Sequence, residues 1–259
     1  MASTGLLLLL LSQDAPAAQM QRAAVTIQAA AHALTNTPAN PRAVAPETQR
    51  EQLGVLSRAL DDYVIAWCAS QPAAEPDALA DALRSVYDPW AAWREFTNAP
   101  AVTAATIRGR RYLVVSSLLF HGGGATPGTT WSIRAFDVTS SPARAVATAS
   151  SDFTGDALVV RELRAPVEAQ HWLLAYGIRV GDTGSRSDAA VYAFDGTRFA
   201  TKWVRRDVPG LEIAVDGTMV HVKYATKQPA AGGGFAFEEF REDYRITPRG
   251  LDLISATRK

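Results

Sequence analysis

The sequence predicts an α+β protein: an N-terminal helical segment, then a mostly antiparallel β region of repeated meanders. The meanders would stack as an open propeller-like array or as a sandwich. Three observations predict this. Before Asn98, apolar residues recur at steps of three and four. After Pro100 they fall in short runs bounded by turn residues. Two Asp-Gly pairs, Asp195-Gly196 and Asp216-Gly217, stand between such runs. An Asp-Gly pair tolerates the positive φ of a type I′ turn, which makes it a strong hairpin signal.

Residues 1–19 read as a signal peptide. Leu6 to Leu11 is a pure leucine run, and Ala15-Pro16-Ala17-Ala18 supplies small residues for cleavage. The run is far below the roughly 20 apolar residues needed to span a bilayer. No Lys or Arg precedes the leucines and the apolar core is short, which leaves room for a true start upstream of Met1. No cysteine follows them, which argues against a lipoprotein anchor. The expected location is secreted or periplasmic.

Residues 20–98 read as the helical segment. Met20 to Leu34 is alanine-rich and favours helix. Thr35 to Pro41 carries two prolines and two asparagines and reads as a linker. A second helix starts near Pro46-Glu47, since proline suits the first turn, and stops before Pro72. Leu53, Leu56, Leu60, Tyr63, Val64 and Trp67 form its apolar stripe. A third begins at Pro76-Asp77, with Leu79, Leu83 and Val86 on one face, until Asp88-Pro89. Trp90, Trp93 and Phe96 mark a short aromatic-faced helix. Such stripes belong to a core rather than to a partner surface.

Residues 101–259 read as the β-rich domain, with about ten strands or more. Strands are expected around 104–107, 112–120, 131–138, 143–149 and 158–163. Trp172 to Val180 follows, broken by Gly181, Asp182, Gly184 and Ser185, then Ala190 to Phe194 and Phe199 to Val204. Leu211 to Val215, Met219 to Tyr224, Phe235 to Ile246 and Leu251 to Ser255 complete the series, with Ala230 to Gly234 as a flexible loop. Tyr112 to Val115 resembles Trp172 to Ala175, Arg134 to Asp137 resembles Tyr192 to Asp195, and Gly155 to Val160 resembles Gly210 to Val215. The order of these matches suggests a duplicated meander. Three blade-sized units would not close a propeller, which takes about four or more.

The chemistry is sparse. Lys+Arg 26 balance Asp+Glu 26, so no field recruits nucleic acid or anionic lipid as a whole. Arg110-Arg111 and Arg205-Arg206 read as solvated strand ends. Cys68 is the only cysteine, so no internal disulfide forms, and its apolar setting reads as a small buried hydrophobe. Leu118 to Gly124, ending His121-Gly122-Gly123-Gly124, resembles the oxyanion-hole motif of α/β-hydrolase lipases and esterases. That resemblance implies a G-x-S-x-G elbow, and Gly184-Ser185-Arg186-Ser187-Asp188 does not fit one, so the hydrolase reading is set aside.

His121, His171 and His221 are evenly spaced but fall at non-equivalent places in the meanders, without metal-ligand spacing. His221 shares a strand face with Met219 and Lys223 and reads as solvated. Asp182, Ser185, Ser187 and Asp188 would share one loop, but lack the calcium-loop spacing. Glu238, Glu239, Glu242 and Asp243, interleaved with Arg241 and Arg245, read as a charge-balanced exposed strand split over two faces. No phosphate-binding glycine loop occurs. No catalytic, cofactor-binding or metal residue is assigned, and no cofactor is expected.

The function expected from sequence is a non-catalytic exported module that binds a protein or small ligand, without nucleic acid and without a stable membrane span. The alternative is a hydrolase-type enzyme whose site gathers separated loops such as His121, Asp182 and Glu239. A periplasmic accessory subunit of a larger assembly is a third reading.

Overall fold

A computed structural model describes residues 15–35, 46–71, 73, 75–86, 100–120, 130–151, 157–181, 184–229 and 232–258. The described residues form an α+β fold of three helices and twelve strands, the strands in three four-stranded antiparallel sheets. The helices are α1 (Pro16–Thr35), α2 (Pro46–Ser70) and α3 (Pro76–Val86). α2 and α3 each open on proline followed by an acid, Glu47 and Asp77, which suits the positive end of the helix dipole. α1 begins inside the segment expected as a leader; residues 1–14 lie outside the described residues. The expected aromatic helix around Trp90, Trp93 and Phe96 also lies outside them.

The first sheet is β1 (Ala101–Ile107), β2 (Arg110–Phe120), β3 (Thr130–Asp137) and β4 (Arg144–Ser151). The second is β5 (Ala157–Leu163), β6 (His171–Gly181), β7 (Gly184–Phe194) and β8 (Phe199–Pro209). The third is β9 (Glu212–Asp216), β10 (Met219–Pro229), β11 (Phe235–Thr247) and β12 (Gly250–Arg258). In every sheet each strand pairs with its neighbour in the chain. The segments matched in the sequence fall on β2 and β6, on β3 and β7, and at β5 and β9, which hold like positions in their sheets.

Three apolar layers hold these elements. Ile27, Leu34, Leu56, Leu60, Trp67, Leu79 and Leu83 of the helices bury against Leu113, Val115 and Phe136 of the first sheet. The helical stripes are therefore core, as expected. Arg134 of β3 adds a polar tie by bonding to Asp61 and Ser57 of α2. The other face of the first sheet, with Ile107, Tyr112, Trp131 and Ile133, meets Leu173, Ala190, Tyr192 and Phe194 of the second. The opposite face of the second, with Trp172, Leu174 and Val191, meets Ile213, Val220, Val222, Tyr244 and Ile246 of the third. The second sheet is covered on both faces, so Trp172 to Tyr176 are all buried and show no alternation. The third sheet alternates: Val220 and Val222 are buried, while His221 between them is exposed.

Two expectations about turns are corrected. Gly184 and Ser185 do not break the strand but begin β7, in register with Gly181 and Val180 of β6. Ser187 and Asp188 are buried inside β7 rather than placed in a loop. Unbroken antiparallel pairing from His171–Phe194 to Gly181–Gly184 favours long strands here over the local turn preference of Gly and Ser.

Candidate functional site

The third sheet presents its polar face outward, and its strand register arranges that face. His221 lies opposite Asp243, and Lys223 lies opposite Arg241 on one side and Glu212 on the other. These side chains border a shallow groove of about 550 Å³. His221 Nδ1 is 2.7 Å from Asp243 Oδ1. Ser255 Oγ of β12 donates to Asp243 Oδ2 at 2.7 Å. The hydrogen bonds from His221 and then Ser255 hold the Asp243 carboxyl below its ordinary value.

These three residue types make a hydrolytic triad only in another order. A nucleophilic serine must bond to the imidazole, with the carboxylate behind it. Here the carboxylate sits in the middle, so the serine oxygen faces Asp243 and not the imidazole. The neighbouring cations are engaged as well. Lys223 Nζ is 3.6 Å from Glu212 and 3.4 Å from Glu239, and Arg241 is 2.9 Å from Glu239. Cross-strand pairs of this kind make a solvated charge lattice.

Behind this face lies a second polar cluster, which sequence reasoning missed. Arg205 Nη2 of β8 donates to Glu242 Oε2 and to Tyr244 Oη, both at 2.7 Å. Tyr244 Oη also donates to Glu242, and Tyr224 Oη donates to Glu242 Oε1 at 2.8 Å. Arg205 is therefore no free strand end, and Glu242 is no exposed acid: it is buried between the second and third sheets. Burial works against ionising Glu242, but the bonds from Tyr244, Tyr224 and Arg205 outweigh it and lower its pKa. Burial and the bond to Glu242 push Tyr224 up to about 12. The available signal was parity: Tyr224, Glu242 and Tyr244 share their strand faces with Val220, Val222 and Ile246.

The expected acidic cluster does split over two faces. Glu239 and Asp243 point outward, and Glu242 inward; Glu238 pairs with Arg258. Arg110 pairs with the buried Asp137.

The even spacing of the histidines brings no convergence of those described. His171 is buried at the seam of the first two sheets, with Nε2 3.2 Å from Thr103 Oγ1. Its Nδ1 is 3.4 Å from Glu162, whose side chain is exposed. His221 stands on the exposed face of the third sheet, as its neighbours predicted. His121, with Gly122 to Gly124, and Asp182 lie outside the described residues. Asp188 Oδ1 accepts the Asp207 amide at 2.5 Å, which is a structural use. Cys68 is partly buried, and burial pushes its thiol up to about 11, so the nucleophilic thiolate is scarce near neutral pH. Among the described residues no group of three or more His, Cys, Asp or Glu is placed to hold a metal. No described helix is long and apolar enough to cross a membrane.

At one end the third sheet narrows to an arm. β9 pairs with β10 only as far as Lys223, and β12 pairs with β11 only from Phe240 onward. Beyond them, among the described residues, β10 and β11 continue as a two-stranded ribbon through Lys227–Phe237 to Pro229–Phe235. Phe235 and Phe237 are 61% and 66% exposed there. Comparison with protein families, with curated proteins and with solved structures finds no match for the chain.

Proposed function

We propose that the protein is an exported, non-catalytic binding module that meets its partner through the third sheet, with the N-terminal helices as a structural cap. The observation that carries this reading is the arm, where Phe235 and Phe237, 61% and 66% exposed, stand together in solvent. Exposed aromatics grouped on a projecting element mark interaction sites more often than chance surface. The three meanders act in this reading as diverged units of one open, propeller-like stack. The charged outer face of the third sheet ends the stack, because a terminal layer needs a polar outer surface. Export rests on the leucine run and small residues of the first 19 positions.

The contact between His221 and Asp243 favours the hydrolase alternative, since a carboxylate on Nδ1 orients an imidazole as a base. The order of Ser255, Asp243 and His221 weighs against it. Assay of the purified chain on ester, phosphate and glycoside substrates tests the choice. Turnover at background rate supports the binding module. Turnover that His221→Ala abolishes overturns it.

A further inference from the structure

We infer that the tip of the β10–β11 arm docks on the surface of a lipid bilayer; this deepens the binding-module reading and rests on it. The nine residues Pro229 to Phe237 carry no charged side chain. The described members of this run are all exposed. Phe235 and Phe237 alternate along β11 and therefore share one face of the ribbon. Among the described residues, a Cβ at Gly232, Gly233 or Gly234 would meet nothing within 4 Å, so no described part of the fold covers these glycines.

Charge supplies the second observation. Along the arm, Glu238 is paired with Arg258, and Glu239 with Arg241 and Lys223. Lys227 has no carboxylate partner among the described residues; its Nζ lies 3.7 Å from the centre of the Phe235 ring. The tip thus joins two apolar rings to one uncompensated cation. That is the chemistry of an interfacial anchor, in which aromatic side chains enter the acyl boundary and a cation meets anionic headgroups.

Two exposed rings on one face beside a cation, in a run without carboxylates, fit a bilayer interface, which requires of the tip only that it project. Immersion stays shallow. The ribbon has unpaired backbone groups on both edges, which must remain among headgroups and water. This contact lies on the membrane and spans nothing.

Co-sedimentation of the full chain with phosphatidylcholine vesicles, with and without phosphatidylglycerol, tests the inference. The chain is expected to sediment with both and more strongly with the anionic ones. F235S/F237S lowers the partition coefficient about tenfold or more. K227E removes the preference for anionic vesicles and retains the residual binding. Circular dichroism of each variant checks that the sheets remain. No sedimentation with either vesicle, or sedimentation that F235S/F237S leaves intact, overturns the lipid contact. Self-association lost in F235S/F237S without vesicle binding assigns the tip to a second copy, which overturns the lipid contact and leaves the binding module standing. Turnover sensitive to His221→Ala removes the binding module itself.

Discussion

Gly250 lies so close to the main-chain carbonyl of Lys202 that a methyl group on its α-carbon would overlap that oxygen. Gly250 closes the turn between β11 and β12, opposite Thr247 in the register. Lys202 belongs to β8, in the second sheet. The turn is thus seated on the sheet below, and Lys202 secures it from both directions: Nζ donates to Pro248 O at 3.3 Å and stands 5.6 Å from the Trp172 ring centre. The seating of this turn on the second sheet therefore depends on Gly250 having no side chain.

Gly250→Ala is expected to destabilise the fold by about 2–4 kcal/mol, from overlap with rigid backbone together with a φ of 151° that other residues rarely adopt. Gly232→Ala is the control, since nothing lies within 4 Å of its Cβ position; its effect should stay within about 0.5 kcal/mol. Urea unfolding midpoints of the two variants measure the difference. Equal midpoints would show that the turn is not seated as described.

The Arg205 cluster makes a second prediction. Arg205→Met leaves Glu242 buried without its cation. A fully buried pair would lose about 3–5 kcal/mol; the Arg205 side chain is 40% exposed, so about 2 kcal/mol is expected. Removing both charges, as Arg205→Met with Glu242→Leu, should recover most of the loss, because the burial cost of the lone carboxylate disappears with it. A double-mutant cycle by chemical denaturation reads the coupling.

How much of this was legible in the sequence depends on the range of the interactions. The Asp195-Gly196 hairpin was legible because its signal is local. Its loop spans residues 195–198 with positive φ at Gly196 and not at Asp195, so it is not the expected type I′ turn. Asp195 Oδ1 accepts the Thr197 amide at 2.8 Å and the Arg198 amide at 3.0 Å, and Gly196 has a φ of 96°. The helical stripes were legible because one-sided burial imposes a period. The start of β7 was not: Gly184 and Ser185 carry turn chemistry, and only pairing along the whole of β6 draws them into a strand. The Arg205–Glu242 contact was not legible either. It joins different sheets, and no local pattern ties Arg205 of β8 to an acid on β11. For the outer face, parity placed His221 in solvent, but the contact with Asp243 required the register.

Tyr224 gives a prediction at high pH. Burial first, and then donation to Glu242, raise its pKa to about 12, against an ordinary tyrosine near 10. The raised value means that the neutral phenol is favoured in the fold. Its contribution to stability is complete below about pH 10 and is lost as pH climbs through about 12. Ultraviolet titration should resolve Tyr224 as a late-ionising phenol, absent in Tyr224→Phe. Glu242→Gln should move its ionisation to lower pH, because the acceptor loses its charge. An unchanged titration in Glu242→Gln would mean that the carboxylate does not hold the phenol.

His171 makes the last prediction, at the opposite end of the scale. Burial pushes its pKa below the ordinary histidine value, and the partial pull of Glu162 in the other direction does not cancel that. The fold therefore prefers the neutral ring, which bridges the first two sheets through Thr103. As pH falls through about 6.5, the unfolded chain takes up this proton before the folded one does. Stability is thus intact above the unfolded value and declines as pH drops toward the depressed folded value. The lowered carboxyls of Asp137, Asp195 and Glu242 act in the same direction, but only below about 4.5, where unfolded carboxyls begin to protonate. Between about pH 6.5 and 5 the histidine lowers stability, while the raised carboxyl of Asp61, lifted by burial, acts the other way. Melting temperatures taken across this interval should fall more for the wild type than for His171→Gln, whose amide keeps a polar partner for Thr103 without titrating. Parallel slopes in the two proteins would mean that the seam between the sheets does not depend on a neutral imidazole.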